Sequence, residues 1–185
     1  MCASATHPVT NAASMAATAA TLGQKLMDAG WMMVTAESCT GGMIASTVTE
    51  IAGSSAWFER AYVTYSNEAK STAIGVSGDL IAQHGAVSEP VAKAMAEGAL
   101  AASVADVSVA VTGIAGPGGG SEAKPVGTVC FAWSTHSSAT VIHTCHFHGD
   151  RAEIRRQATQ YAMAGLNDVL DAAKTQGPLS ATKIS

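Results

Sequence analysis

Charged side chains are scarce in this 185-residue sequence, and aromatic ones are scarcer still. Charged residues make up 13% of the chain and aromatic residues 5%, whereas hydrophobic residues make up 48%. So little charge beside so much apolar side chain excludes an intrinsically disordered protein. The length suits one compact domain with a sizeable core. Because that core must be built from small and aliphatic side chains, the composition favours an α/β architecture.

Long apolar runs and closely spaced cysteines are also missing. The sequence has no run of about 18 apolar residues that would cross a membrane, and its amino terminus has neither the basic segment nor the strongly apolar one of a secretory signal. The four cysteines include no CxxC pair and are too few for a disulfide-stapled scaffold. These absences predict a cytoplasmic protein with reduced thiols and no membrane partner.

Positive charge is in deficit. The chain has 10 Lys and Arg residues against 14 Asp and Glu residues, a formal net charge of -4. A negative protein gains nothing from the electrostatic attraction that underlies general binding to polyphosphate backbones. We therefore expect no nucleic-acid partner.

The alternation of patterns along the chain predicts its architecture. Residues 1–10 and 175–185 show neither helical nor strand periodicity, so we expect two loose tails around a single domain at 11–174. Within that domain, strand-like runs alternate with helical stretches, and the last two runs are separated only by the short polar turn THSS. This order predicts a three-layer α/β/α sandwich with a mixed, mostly parallel sheet that ends in an antiparallel hairpin.

Capping residues predict several helix boundaries. Gly30 follows a helical pattern that begins near Asn11, and a second pattern runs from Thr40 to Ala52. Three further helices are predicted to start at N-capping residues: Ser77 (ending at His84), Ser88 (ending near Val104) and Asp150 (ending near Ala173).

The segment AESCTGG, residues 36–42, is the first candidate for chemistry because it lies between an apolar run and a helix. Ser38 would be a nucleophile if a neighbouring base removed its proton. Adjacent Gly41 and Gly42 allow backbone N–H groups to approach an anion near a helix N-terminus. Capping of the helix by Ser38 or Thr40 is the plainer interpretation. Cys39 is a rival nucleophile that is equally well explained by packing.

The segment YSNEAK, residues 65–70, is the second candidate. Lys70 can act as a base only if burial lowers its pKa, because an ammonium group cannot accept a proton. A solvated surface lysine is the usual alternative. Tyr65 also fits a core residue with a solvated hydroxyl.

A glycine-rich segment and a pair of arginines complete the candidates. The segment VTGIAGPGGGSEAKPVGTV allows close backbone approach to a phosphate or a sugar, but it has neither the Walker spacing nor GxGxxG. A flexible connection is the alternative. Arg151 and Arg155 are four residues apart at a helix start, where they share a face and suit a phosphate monoester, or else a solvated surface.

Three histidines near one predicted strand raise the question of a metal site. His146 and His148 would lie on the same side of a strand, and His143 is close by. No acidic or cysteine cluster at metal-ligand spacing accompanies them. We therefore predict no metal ligands.

Five segments in order, AESCTGG, VTYSNEAK, QHGAVSE, VTGIAGPGGGSEAKPVGTV and GDRAEIRRQAT, resemble the C-terminal domain family of the competence/damage-inducible protein CinA. The resemblance runs from about Leu22 to Leu170, so it covers nearly the whole predicted domain. It implies hydrolysis of the carboxamide of nicotinamide mononucleotide (NMN) to nicotinate mononucleotide and ammonia, in pyridine-nucleotide salvage, with no metal or organic cofactor. It also implies a catalytic pair at Ser38 and Lys70.

The remaining roles are hypotheses built on that pair. Tyr65 would orient the lysine or the serine hydroxyl. Backbone N–H groups around one loop would hold the oxyanion, those of Thr40, Gly41 and Gly42. The ribose phosphate would be contacted by a second set of residues, namely Thr112, Gly113, Gly116, Arg151 and Arg155. We expect a homo-oligomer, with a dimer favoured. A non-catalytic pyridine-nucleotide-binding or regulatory module is the competing interpretation.

Overall fold

The computed structural model describes residues 12–175, which form five strands and six α-helices. In chain order the elements are α1 (Ala12–Ala29), β1 (Met33–Glu37), α2 (Met43–Thr49), β2 (Phe58–Val63), α3 (Asn67–Ile74), α4 (Gly78–His84), α5 (Glu89–Ala101), β3 (Val107–Gly113), β4 (Thr128–Thr135), β5 (Val141–His146) and α6 (Arg151–Thr175). A short 3₁₀ turn at Ser54–Ala56 precedes β2.

The strands form one mixed sheet in the order β2-β1-β3-β4-β5. Strand β1 pairs in parallel with both of its neighbours, β2 and β3. Strand β4 runs antiparallel to β3 and to β5. Four strands therefore point the same way and β4 opposes them, which confirms the mixed, mostly parallel sheet and its terminal hairpin.

Helices cover both faces of the sheet and form the outer two layers. On one face, residues of α1, α2 and α6 share one core cluster with alternate β3 residues that include Val107 and Val109, and α6 contacts β3 directly. On the other face, α5 packs against small side chains such as Ala110 of β3 and Ala132 of β4. Period two along the strands sends neighbouring residues to opposite faces. The predicted three-layer α/β/α sandwich is confirmed.

Three of the predicted boundaries agree with the structure. Gly30 has a φ of 65° directly after α1, a backbone conformation that favours glycine. Ser77 Oγ accepts a hydrogen bond from Leu80 N at the start of α4. Asp150 Oδ1 accepts one from Glu153 N at the start of α6.

Two helix predictions need correction. Helix α2 starts at Met43 rather than Thr40, because Gly41 and Gly42 have positive φ values of 60° and 90° that no right-handed helix contains. Ser88 lies at the start of α5, but its hydroxyl donates to Gly85 O and makes no cap. Helix α5 also ends at Ala101, before the predicted Val104.

The predicted tails lie largely outside the described residues. Of the predicted tails, 1–10 and 175–185, only Thr175 is described, and it is the last residue of α6. No helix within residues 12–175 is both long enough and apolar enough to span a bilayer.

Candidate active site

The carboxyl ends of three parallel strands converge at one edge of the sheet. Ser38 follows β1, the turn that leads to Lys70 follows β2, and Thr112 and Gly113 end β3. Open α/β sheets bind ligands at this kind of edge. A cavity of about 210 Å³ opens here. Its walls are Ser38, Cys39, Tyr65, Asn67, Lys70, Ala86, Val87, Thr112, Gly113, Ala115 and Arg151.

Ser38 is held in a tight turn by its own backbone. Its N–H donates to Val111 O of the neighbouring strand at 3.0 Å, and its carbonyl accepts from Gly41 N at 3.1 Å. The residue is only 8% exposed, yet it lines the cavity. Backbone hydrogen bonds thus fix the position of Ser38, and its side chain faces the cavity.

The carboxylate of Glu37 occupies the N-terminus of α2. Its two oxygens accept hydrogen bonds from the N–H groups of Gly42, Ile44 and Ala45 at 2.9–3.1 Å, and it is completely buried. Sequence reasoning missed this residue, although an acidic side chain just before a helix start was the available signal. The positive end of α2 is consequently satisfied within the protein and is not open to an anion.

Lys70 reaches Ser38 from α3. Its Nζ lies 3.1 Å from Ser38 Oγ, 2.9 Å from Thr64 O and 3.3 Å from Tyr65 O. The side chain is 1% exposed. Ser66 caps the helix that carries it, because Ser66 Oγ accepts from Ala69 N. The two residues singled out as a catalytic pair are therefore in hydrogen-bonding contact inside the protein.

The surroundings of Lys70 favour its neutral form. Burial lowers the pKa of the Lys70 amine, and none of the ion pairs within residues 12–175 includes it. A neutral amine has two N–H donors and one lone pair, where an ammonium group has three donors. The two carbonyls accept N–H bonds from Lys70, and the Ser38 hydroxyl, which can donate as well as accept, is the group that would donate to the lone pair of a neutral amine.

Cys39 lines the same cavity, but its thiol stays protonated. Burial raises the pKa of Cys39 to about 12. A thiol becomes a strong nucleophile only as a thiolate. The electrostatics therefore favour Ser38 over Cys39.

Tyr65 and Arg151 meet at the mouth of the cavity. Arg151 Nη2 donates to Tyr65 Oη at 3.2 Å, and Arg151 Nη1 donates to Gly116 O at 2.8 Å. Tyr65 is 62% exposed, so it is a surface residue rather than a core one. Its hydroxyl bonds to the arginine, and it reaches Lys70 only through its backbone carbonyl.

Arg155 and the glycines of the turn are placed differently from the sequence-based expectation. Arg155 donates from Nε to Cys39 O at 3.1 Å and from Nη2 to Thr40 O at 2.7 Å, and it does not line the cavity. The N–H groups of Gly41 and Gly42 already donate to Ser38 O and to the Glu37 carboxylate. Neither glycine therefore has an N–H free for an oxyanion.

One wall is shaped by Thr112, which the sequence singled out, and by Lys124 and Asn67, which it did not. Thr112 Oγ1 donates to Ala86 O at 2.9 Å, and Lys124 Nζ donates to Val87 O at 2.7 Å and to His84 O at 3.0 Å. Asn67 lines the cavity from α3. Such contacts between distant segments leave no local pattern in the sequence.

Within the part of the chain that the structure describes, no group of three His, Cys, Asp or Glu side chains is arranged to hold a metal ion. His143 Nδ1 contacts Tyr161 Oη, and His146 Nδ1 contacts Thr128 Oγ1.

Known proteins share both the sequence and this fold. The CinA C-terminal domain family matches residues 15–170. A relative from Escherichia coli strain K12, named nicotinamide-nucleotide amidohydrolase PncC, is 58% identical over 145 residues, which cover 78% of this chain and 88% of the relative. A CinA-like protein from Mycobacterium sp. strain JLS is 56% identical over 73% of this chain and 32% of its own length.

The fold comparison agrees with the sequence comparison. The crystal structure of the competence/damage inducible protein CihA from Agrobacterium tumefaciens superposes with a TM-score of 0.83 at 43% identity, over 85% of this chain and 96% of that one. Family model, sequence identity and fold lead to the same assignment. This chain belongs to the CinA C-terminal domain family.

Proposed function

We propose that this protein hydrolyses the carboxamide of NMN, releasing nicotinate mononucleotide and ammonia. One observation carries the proposal: the buried Lys70 Nζ lies 3.1 Å from Ser38 Oγ. That geometry supplies a nucleophile and a base within hydrogen-bonding distance. The substrate follows from the E. coli relative, whose name specifies a nicotinamide nucleotide and whose sequence is 58% identical.

The first half of the reaction forms an acyl-enzyme. Neutral Lys70 takes the Ser38 proton while Ser38 Oγ bonds to the amide carbon, whose carbonyl oxygen becomes an oxyanion. The lysine, now an ammonium group, then gives that proton to the amide nitrogen. The C–N bond breaks, ammonia leaves, and Lys70 is neutral again.

The second half repeats these steps with water. Lys70 removes a proton from a water molecule whose oxygen attacks the acyl carbon. The C–O bond to Ser38 breaks, and the lysine returns the proton to Ser38 Oγ. The products are the free enzyme and the carboxylic acid, which releases its proton to solvent and becomes the carboxylate. Neither half requires a metal or an organic cofactor.

The oxyanion needs N–H donors beside Ser38, and we assign it to Cys39 and Thr40. Within residues 12–175, no oxygen accepts a hydrogen bond from either N–H group. The Cys39 thiol, a weak acceptor, is the group whose pKa these two N–H groups lower. Each such donor contributes about 3–4 kcal/mol to the transition state in other enzymes.

The nucleotide end of the substrate extends toward the mouth of the cavity. We assign the phosphate to Arg151, whose guanidinium already reaches the cavity edge. Thr112, Gly113 and Gly116 lie along the same wall and strand end, where the ribose would contact them. Tyr65 would position Arg151 through its hydroxyl.

We further propose that the protein works in the cytoplasm as a homo-oligomer, with a dimer favoured. The sparse cysteines and the absence of an apolar run long enough for a membrane support the compartment. Oligomers of this size class are most often symmetric dimers.

Ammonia release from NMN tests the proposal directly. Wild-type protein is compared with Ser38→Ala and Lys70→Ala in buffer containing EDTA, and the exposed Ser55→Ala and Lys93→Ala variants serve as matched controls. We expect release by wild type and both controls, and a fall of at least about 1,000-fold for the two site variants. NMN binding without ammonia release by wild type would instead support the regulatory module.

A further inference from the structure

Arg155 binds the backbone of the turn at residues 38–42, here called the nucleophile turn, on the side away from the cavity. Its guanidinium donates to two consecutive carbonyls, Cys39 O at 3.1 Å and Thr40 O at 2.7 Å. It reaches them from α6, which is more than 100 residues further along the chain. The side chain is half-buried and lies outside the cavity walls. These contacts leave its guanidinium turned toward protein backbone rather than toward the substrate.

Most of the other backbone groups of the nucleophile turn also have hydrogen-bond partners. Ser38 N–H donates to Val111 O, and Ser38 O accepts from Gly41 N. Gly42 N–H donates to the Glu37 carboxylate, and Gly42 O accepts from Ser46 N. Two N–H groups adjacent to the nucleophile are left without an oxygen partner among the described residues, those of Cys39 and Thr40.

Peptide geometry connects Arg155 directly to the Thr40 N–H, which shares a peptide with Cys39 O. The connection to the Cys39 N–H is indirect, because Thr40 O shares a peptide with Gly41 N, and Gly41 N donates to Ser38 O in the peptide that carries the Cys39 N–H. In a trans peptide the C=O and N–H bonds point in opposite directions, and the one cis peptide within residues 12–175 lies elsewhere, before Pro117. Drawing Cys39 O toward α6 therefore turns Thr40 N–H away from α6. Drawing Thr40 O the same way prevents the turn from rotating as a unit.

We propose that Arg155 is a positioning residue, which orients the nucleophile turn and does not bind the phosphate. This inference rests on the proposed function for its substrate, but the contacts that carry it do not depend on that substrate. Two fixed carbonyls keep Ser38 Oγ at Lys70 and keep the neighbouring N–H groups aimed at the oxyanion. A planar guanidinium suits two adjacent acceptors, which a lysine ammonium cannot match in the same fork geometry.

Two substrates separate positioning from phosphate binding. Arg155→Lys and Arg155→Ala are assayed with NMN and with nicotinamide riboside, which lacks the phosphate. We expect kcat to fall by about 100-fold, the usual result of displacing a reacting group by roughly 1 Å. KM should stay within about threefold, and kcat/KM should fall by the same factor for both substrates. Arg155→Lys should retain more activity than Arg155→Ala.

Two variants on the same helix provide the comparison. Arg151→Ala, at the proposed phosphate site, should lose kcat/KM with NMN and keep it with the riboside. Arg156→Ala removes an arginine that pairs with Glu153 and should remain close to wild type. Added methylguanidine should partly restore kcat in Arg155→Ala, because it can occupy the vacated space between α6 and the turn.

A substrate-independent readout separates this inference from the proposed function. A fluorophosphonate probe forms a P–O bond with Ser38 Oγ, Lys70 takes the hydroxyl proton, and fluoride leaves. Arg155 variants should label about 100-fold more slowly than wild type. Slow labelling would uphold the inference even if wild type released no ammonia from NMN.

Two results would overturn the assignment. One is a raised KM with unchanged kcat that appears for NMN alone, which would make Arg155 a phosphate ligand. The other is unchanged kcat and labelling rate per folded molecule in a variant with a lowered melting temperature, which would make the contact purely structural.

Discussion

At the scale of single residues, burial decides what Ser38 and Lys70 can do. A lysine at the surface carries a tightly bound proton and cannot serve as a base near neutral pH. Lys70 is 1% exposed, and its hydrogen-bonding neighbours are two carbonyls and a hydroxyl rather than a carboxylate. Since desolvation penalises the charged form, this environment lowers the pKa of the Lys70 amine and favours the neutral form that a general base requires.

The pH dependence of activity should follow the protonation of Lys70. Burial lowers the pKa of Lys70 below 10.5, and only the neutral amine accepts the Ser38 proton. We expect kcat/KM to rise with pH through this pKa and to level off before the pH at which an ordinary lysine titrates. Initial rates over a pH series measure this limb, with circular dichroism over the same series to exclude unfolding. An acid limb centred at the ordinary lysine pKa would contradict the effect of burial.

Substitution can distinguish Ser38 from Cys39 as the nucleophile. Because the pKa of the Cys39 thiol is raised to about 12, iodoacetamide should leave the native protein active near neutral pH. Cys39→Ala keeps the backbone N–H and should retain activity to within about tenfold, whereas Ser38→Ala should not. Loss of activity in Cys39→Ala, with activity retained in Ser38→Ala, would instead assign the nucleophile to the thiol.

At the scale of elements, the position of Lys70 depends on how α3 packs against α5. The contact is made at Gly98 of α5, where a Cβ atom would lie 1.9 Å from Ile74 O at the end of α3. Backbone cannot move aside as a flexible side chain can. The absence of a side chain at Gly98 therefore permits the close approach of the helix that carries the base.

A methyl group at Gly98 should disturb both stability and catalysis. We expect Gly98→Ala to destabilise the protein by about 1–3 kcal/mol, as overpacking does elsewhere, and to lower kcat by displacing α3. Thermal unfolding and ammonia release measure the two effects. Gly78→Ala is the matched control, because no atom lies within 4 Å of a Cβ built there. Equal behaviour of the two variants would show that the approach of α3 to α5 is unimportant.

The helix boundaries show where local sequence patterns were sufficient to predict the structure and where they were not. The N-caps at Ser77 and Asp150 and the glycine after α1 were predictable because capping depends on residues a few positions apart. Ser88 looks the same in the sequence, yet its hydroxyl turns back to Gly85 O. The AESCTGG segment misled in a similar way, because the carboxylate of Glu37, rather than a serine or threonine hydroxyl, satisfies the start of α2.

At the scale of the whole molecule, small side chains account for the scarcity of aromatic residues. Helix α5 presents Ala92, Ala96 and Ala99 to a sheet face that includes Ala110 and Ala132. Alanine on both surfaces allows close packing of helix and sheet. The larger rings gather on the opposite face, where Phe131, Trp133 and Tyr161 contact one another.

The overall charge predicts a negative result with nucleic acid. A formal net charge of -4 should prevent binding to duplex DNA, because binding to the backbone is driven by Lys and Arg contacts with phosphates. An electrophoretic mobility shift assay at low salt should show free DNA at micromolar protein. A shift that disappears as salt is added would reveal a basic surface that the net charge conceals.

The sequence by itself determined the layer order and the mixed sheet, and it singled out Ser38 and Lys70, which the structure brings into hydrogen-bonding contact. Periodicity and capping are local, and the motifs around these two residues are specific to a family, so both kinds of pattern can be read without coordinates. The sequence also singled out Arg151, which lines the cavity, and the strand ends at which that cavity opens.

Only the tertiary structure decided which groups face the cavity and which face the protein. Arg151 and Arg155 look equivalent in the sequence, yet one lines the cavity and the other bonds to Cys39 O and Thr40 O. The buried cap by Glu37 and the wall held by Lys124 likewise arise from contacts whose partners cannot be recognised locally. Hydrogen bonds form wherever folding brings donors and acceptors together. A pattern of residue types in the sequence therefore does not show which way a side chain points or which partner it bonds to.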